Sequence, residues 1–314
     1  MYSMGKSKSN SPEYVIITPA YNEDGFIGET IKSVAIQTIV PKKWIIVDDG
    51  STDSTAAIIK QYQKDYEFIE YYGRVRQAEQ SYYESNVWAI LEGYERVRTL
   101  DFDYLAILDA DMILCEDYYQ EIFNRFDINR DVGIATGTYL EDINGRLIEA
   151  LIDRYSTPKA LQVFRRACYE QIGGYIPCKN GGEDSCAEIM ARTHGWQTWS
   201  FPDIKAIHQR PVGMGDGRAA FSAKFKQGLT DYCLATHPVF MLAKCLRRSL
   251  IERPYIVSGL ARLAGFLYGY MIRAERDIPE NARRYVRKEQ MKRLLVCIGI
   301  GPQLWKPIQH ERHC

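Results

Sequence analysis

No stretch of the chain approaches the roughly 18 to 20 uninterrupted apolar residues of a membrane-spanning helix, so no integral membrane span is expected. Net charge is also missing: 40 basic residues meet 40 acidic ones in 314. That balance argues against a nucleic-acid partner bound by neutralising phosphates. The eight cysteines are scattered, with no C-x-x-C pair and no zinc-finger spacing, and a reduced, cytoplasmic chain is the simpler expectation. The opening residues, MYSMGKSKSNSPE, lack the apolar centre of a secretory signal, and residues 1–12 are expected to form a disordered lead. Neither an internal repeat nor a low-complexity segment is present.

What remains is ordinary globular material, 46% hydrophobic and 25% charged, long enough for one large domain or two small ones. The first half alternates short β-rich runs with longer helical patterns, which implies parallel strands joined by crossover helices. Tyr14-Val-Ile-Ile-Thr18, Trp44-Ile-Ile-Val47, Phe68-Ile-Glu-Tyr-Tyr72 and Tyr104 to Leu108 are the expected strands. Helices are expected over Ile27 to Thr38, from Ser51 to about Tyr66, and from about Glu84 to Thr99. Beyond Asp117 the expected order is a helix to about Asn129, a strand from Val132 to Leu140, polar turns near Asn144-Gly145, a strand at Leu161 to Phe164, and a helix from Asp184 to His194. After Pro211 the chain is glycine-interrupted and then mainly helical.

In an open parallel sheet, ligands bind beyond the carboxyl ends of the strands. Polar clusters follow three of the expected strands: Tyr21-Asn22-Glu23, Asp48-Asp49, and the pair Asp109 and Asp111. In Asp109-Ala-Asp111 the two carboxylates share one side of an extended segment, and a divalent cation such as Mg2+ or Mn2+ would offset their repulsion. A solvated turn fits the same motif. Val47-Asp-Asp-Gly-Ser-Thr-Asp53 combines a strand, two carboxylates, a permissive glycine and a helix start. Helix capping explains Ser51 or Asp53 there, but not Asp48 and Asp49 together; a base or ribose acceptor would.

Taken together, Pro19-Ala-Tyr-Asn-Glu23, Val47-Asp-Asp-Gly-Ser-Thr-Asp53, Leu108-Asp-Ala-Asp111 and Gly181-Gly-Glu-Asp184 resemble the family-2 glycosyltransferases, in the family's order and approximate spacing. The resemblance covers about residues 13–210. It implies a GT-A fold, α/β with a mostly parallel sheet flanked by helices, over residues 13–211, followed by a mainly helical C-terminal extension over residues 212–314. Pro19, Ala20, Tyr21, Glu23, Asp48 and Asp49 would belong to the nucleotide-sugar site, with the main chain near Ala20 and Tyr21, Glu23 and Asp49 holding the nucleoside. Asp111, with Asp109, would bind the metal bridging the diphosphate.

Asp184 matches the family's catalytic base, with Glu183 as the competing carboxylate; capping of the following helix is the bland alternative for both. His208, at the end of a strand-like Asp203 to His208, would complete the metal shell while Arg210 meets phosphate; a satisfied edge-strand histidine is the alternative. One departure is visible: where many members carry Ala-Arg-Asn, this chain reads Tyr83-Glu-Ser-Asn86. Arg74 or Arg76 could supply the missing cation. The processive Gln-x-x-Arg-Trp motif is also absent, so a single transfer per binding event fits better than a polymerase.

The expectation is therefore a metal-dependent inverting glycosyltransferase that takes a nucleotide-sugar donor and a saccharide or lipid-linked acceptor of a surface glycan. A polyprenyl-phosphate glycosyltransferase and a non-catalytic nucleotide-sugar-binding module are the rivals. The segment Tyr255 to Ile272, with Arg262 and three glycines, is flanked by Lys244, Arg247, Arg248, Arg253, Arg273 and Arg276. It reads either as a helix packed on the catalytic domain or as a peripheral contact with an anionic membrane surface.

Overall fold

The computed structural model describes residues 11–143, 146–210, 220–252, 254–297 and 299. Of the expectations above, the lead over residues 1–10, the turn at Asn144-Gly145, and Pro211 and Arg253 fall outside them.

Strand β1 (Tyr14–Ala20) lies between β2 (Lys43–Asp48) and β4 (Tyr104–Ile107), and β3 (Ile69–Gly73) follows β2 at one edge, all in parallel. Every residue of β1 is buried, because its two side-chain faces enter two different cores. Tyr14 and Ile16 join Trp44, Ile46, Tyr104 and Ala106 on one face. Helices α1 (Ile27–Ala35), α2 (Thr55–Asp65) and α4 (Tyr118–Ile128) cover that face through Ile31, Ile59, Phe123 and Phe126. Val15 and Ile17 join Ile45, Val47, Leu105 and Ile107 on the other face. There α3 (Tyr82–Val97), α5 (Arg166–Ile172) and α6 (Glu183–Thr193) supply Val87, Ile90, Tyr169 and Ala187.

The remaining strands are β5 (Met112–Leu114), β6 (Val132–Ile143), β7 (Arg146–Glu149), β8 (Val163–Arg165) and β9 (Gln197–His208). They complete a nine-stranded sheet in the order β3-β2-β1-β4-β8-β6-β9-β5, with β7 paired to β6. Most register pairs are parallel; β8 runs antiparallel to β4 and β6, and β5 antiparallel to β9.

Two local features differ from expectation. The apolar run after Asp111, for which no element was expected, forms β5 at the far edge of the sheet, so Asp109-Ala-Asp111 crosses from β4 toward that edge. The expected strand at Leu161 begins as a 3-10 turn (Lys159–Leu161), and β8 starts at Val163. Gln162 and Ala160 carbonyls accept from the Ile107 and Asp109 amides, so this turn runs alongside the end of β4.

Among the described residues the C-terminal part holds four helices, α7 (Ala220–Cys233), α8 (Pro238–Ile251), α9 (Val257–Met271) and α10 (Glu280–Cys297). They are packed onto the α/β part. Cys178, Cys186 and Ile189 form one core with Leu234 of the α7 end and with Ala282 and Val286 of α10. Buried Arg192 of α6 reaches Glu289 of α10 at 3.1 Å.

Candidate active site

The carboxyl ends of β1, β2 and β4 open onto a cleft of about 420 Å³ lined by Pro19, Ala20, Tyr21, Glu23, Asp49, Tyr82, Asn86, Asp109, Ala110, Asp111 and Arg210. Parallel pairing of β1 with β2 and β4 brings these ends to one rim, where ligands of such sheets bind. Arg210 arrives from 99 residues away through the antiparallel register of β5 and β9, which sets Met112 opposite His208. The Gln209 amide then donates to the Asp111 carbonyl at 3.0 Å.

Asp111 is almost fully buried and receives Arg210 Nε at 2.6 Å and His208 Nε2 at 3.0 Å on its Oδ2. Burial alone would raise its proton affinity; the hydrogen bonds and charge of His208 and Arg210 outweigh burial and hold the carboxyl below its usual range. His208 shifts the other way: burial lowers it, but the bond and charge of Asp111 raise it overall. Arg210 also reaches Glu23 Oε1 at 2.5 Å. Burial still dominates at Glu23 and pushes it up to about 7, with its Oε2 buried and unpaired.

Asp109 takes a different partner from Asp111, the Lys159 ammonium at 2.5 Å. The repulsion between the two carboxylates is thus offset within the chain by separate cations, Lys159 on one and Arg210 on the other. Lys159 also faces Glu183 and Asp184 electrostatically, and its amide donates to the Asp184 carboxylate. Burial and the neighbouring Asp184 charge raise Glu183 to about 7; burial raises Asp184 as well. Glu183 Oε2 is buried without a hydrogen bond.

The turn carrying this pair needs its glycines. Gly181 and Gly182 both adopt positive φ, and a Cβ on Gly182 would sit 2.5 Å from Thr230 of α7. Thr230 Oγ1 also donates to the Asn180 carbonyl at 2.7 Å, so α7 braces the turn. No side-chain cap forms at the α6 start; Asp184 Oδ1 accepts its neighbour's Ser185 amide there, at 2.6 Å.

Six expected residues sit outside the cleft lining: Glu183, Asp184 and His208, and also Asp48, Arg74 and Arg76. Asp48 is used locally: Oδ1 accepts the Ser51 amide at 2.9 Å and Oδ2 the Tyr71 hydroxyl at 2.9 Å. Arg74 is buried and bonds Asp49 and Glu92, while Ser85 Oγ donates to Asp49 Oδ2 at 2.6 Å. Arg76 lies over the Tyr21 ring, 4.4 Å from its centroid. Lys159, Tyr82 and Asn86 are site residues that the sequence reading did not single out; Lys159 sits in a turn with no motif around it.

Asp111 and His208 are the donor types a divalent cation takes, one carboxylate and one imidazole, and Mg2+ or Mn2+ takes few protein ligands when substrate phosphates and water fill the rest. An ion held there would replace the bonds that Arg210 and His208 now make to Asp111 Oδ2. Among the described residues no group of three or more His, Cys, Asp or Glu side chains is gathered to cage a metal alone.

The model of the family described as Glycosyl transferase family 2 matches residues 15–189. The poly-beta-1,6-N-acetyl-D-glucosamine synthase of Staphylococcus epidermidis is 30% identical over 117 residues, 37% of this chain and 26% of its own. The putative teichuronic acid biosynthesis glycosyltransferase TuaG of Bacillus subtilis is 35% identical over 100 residues, 32% of this chain and 36% of its own. The chain thus spans about a quarter to a third of the length of these curated relatives. Among solved structures, mannosyltransferase PcManGT from Pyrobaculum calidifontis in complex with GDP-Man and Mn2+ superposes with a TM-score of 0.54 at 15% identity, covering 94% of this chain and 90% of that one.

Proposed function

The chain belongs to glycosyl transferase family 2, and from that premise we propose that it is a cytoplasmic, metal-dependent, inverting glycosyltransferase. In this reading it moves a sugar from a nucleotide-sugar to a hydroxyl of a saccharide or lipid-linked acceptor in surface glycan synthesis. The names of the staphylococcal synthase and of TuaG support the glycan class, and the GDP-Man and Mn2+ held by the archaeal mannosyltransferase support the donor class and the cation.

One observation carries the reading: Lys159 links the cleft carboxylate Asp109 to the Glu183-Asp184 pair, so a donor-side and an acceptor-side carboxylate cluster meet at one cation. On the donor side, the main chain at Ala20 and Tyr21 and the Glu23 and Asp49 carboxylates offer acceptors to a nucleoside, and Arg210 offers a fork to its diphosphate. Asp111 and His208 would hold Mg2+ or Mn2+, which when bound stabilises negative charge on the leaving diphosphate. Asp184 takes the proton of the acceptor hydroxyl as its oxygen bonds the anomeric carbon and the bond to the diphosphate oxygen breaks; one displacement inverts that carbon. Burial raises the proton affinity of Asp184, which suits a base working near neutrality.

A panel of nucleotide-sugars screened by thermal shift with and without Mn2+ tests the donor half. The expected result is Mn2+-dependent stabilisation by at least one nucleotide-sugar, lost in Asp111→Asn. No metal-dependent shift with any nucleotide would refute it.

A further inference from the structure

Helix α9 is turned inside out relative to an ordinary surface helix. Ser258, Gly259, Ala261, Gly265 and Gly269 face inward beside Arg262 and Phe266, while Leu260, Leu267 and Met271 face water. The inward glycines are required: a Cβ on Gly265 would fall 1.8 Å from the Phe225 carbonyl of α7, and one on Gly228 of α7 would fall 1.8 Å from the Arg262 carbonyl. Close packing of small residues takes up much of the inner face, and Leu260, Leu267 and Met271 stay outside. On α8, Leu242, Leu246 and Leu250 recur every four residues and form a second exposed stripe. Exposure reaches 62% at Leu246, 77% at Leu250, 60% at Leu260 and 72% at Met271, far beyond single scattered surface residues.

The segment that carries these stripes is net basic. Between Pro238 and Arg273 the basic residues are Lys244, Arg247, Arg248, Arg253, Arg262 and Arg273, against the single acid Glu252. Glu252 pairs with Lys224 and Arg262, and from other elements Asp231 pairs with Lys244 at 2.7 Å and Asp153 with Arg247 at 3.1 Å. Arg247 and Arg273 are exposed. Among the described residues no helix is long and apolar enough to cross a membrane. A symmetric contact with a second copy would bring two sets of these arginines together.

We propose that the outer face of α8 and α9 docks in the plane of an anionic lipid bilayer, with the leucine and methionine stripes in the interface and Arg247 and Arg273 against the headgroups. An exposed apolar face on a net basic segment is what such surfaces retain. Docking does not depend on the transfer chemistry proposed above, and its test reads lipid binding alone.

The full chain is sedimented with vesicles of phosphatidylcholine and with vesicles of phosphatidylcholine mixed with phosphatidylglycerol. Wild type should pellet with the mixed vesicles and release as salt is raised. The double variant Leu246→Glu, Leu250→Glu and the double variant Arg247→Glu, Arg273→Glu should each bind about tenfold less, with circular dichroism melts unchanged. Wild type that stays in solution with the mixed vesicles overturns the proposal. So does equal pelleting of wild type and both variants, or equal binding to the neutral vesicles. A dimer in sedimentation velocity that the leucine variant dissociates, without vesicle binding, overturns it in favour of a second copy.

Discussion

Lys159 Nζ lies 2.5 Å from Asp109 Oδ1, and among the described residues it is the one cation placed against both halves of the carboxylate cluster. Lys159→Met should therefore leave Asp109, Glu183 and Asp184 without compensation. Breaking a fully buried pair costs roughly 3–5 kcal/mol; with 27% of the Asp109 side chain exposed, a loss of about 2–3 kcal/mol is expected. The deficit should be largest above pH about 7 and should shrink below it, because protonating Glu183, raised to about 7, removes part of the repulsion. Denaturant melts of wild type and variant across that range measure it.

Arg210 joins Asp111 and Glu23 through two different nitrogens, Nε and Nη2. A lysine has one nitrogen and cannot span both. Arg210→Lys should forgo one of these two charge-assisted bonds and cost about 1.5 kcal/mol of stability. Denaturant melts of wild type and variant check this.

Gly182 combines φ of 93° with a would-be Cβ contact of 2.5 Å to Thr230. Gly182→Ala should cost about 1–3 kcal/mol and displace the Glu183-Asp184 turn as well. A lower Tm together with reduced turnover is expected, whereas Gly173→Ala, at similar φ with nothing near its Cβ, should lower Tm less and leave turnover intact.

Glu183 is raised to about 7 by burial and by the Asp184 charge, while burial raises Asp184. The acid limb of the wild-type pH-rate profile should fall above the usual aspartate range, since Asp184 works as a base only when deprotonated. Glu183→Gln leaves the burial of Asp184 in place, so activity and its acid limb should persist. Loss of activity together with the limb would make Glu183 the base.

What was legible in the sequence was local. Alternating apolar runs exposed β1, β2 and β4, and the acidic residues just after them marked the rim, because a strand end and its next residues are neighbours in the chain. Long-range pairing was not legible. Lys159 reaches Asp109 only because the 159–162 segment runs alongside β4, and nothing in Thr157-Pro-Lys159 signals that. Arg74 in Gly73-Arg-Val-Arg76 reads as a free cation, whereas the fold gives it Asp49 and Glu92. His208 was suspect from its place at a strand end, but the partner it meets, Asp111, follows from the β5-β9 register.

The central claim is that Asp184 is the base of a transfer from a nucleotide-sugar. The direct measurement compares donor affinity and nucleoside diphosphate release for wild type and Asp184→Asn. The account predicts donor binding unchanged within about twofold and release slowed on the order of a thousandfold, the scale of a lost general base. Release near the wild-type rate in Asp184→Asn would contradict it.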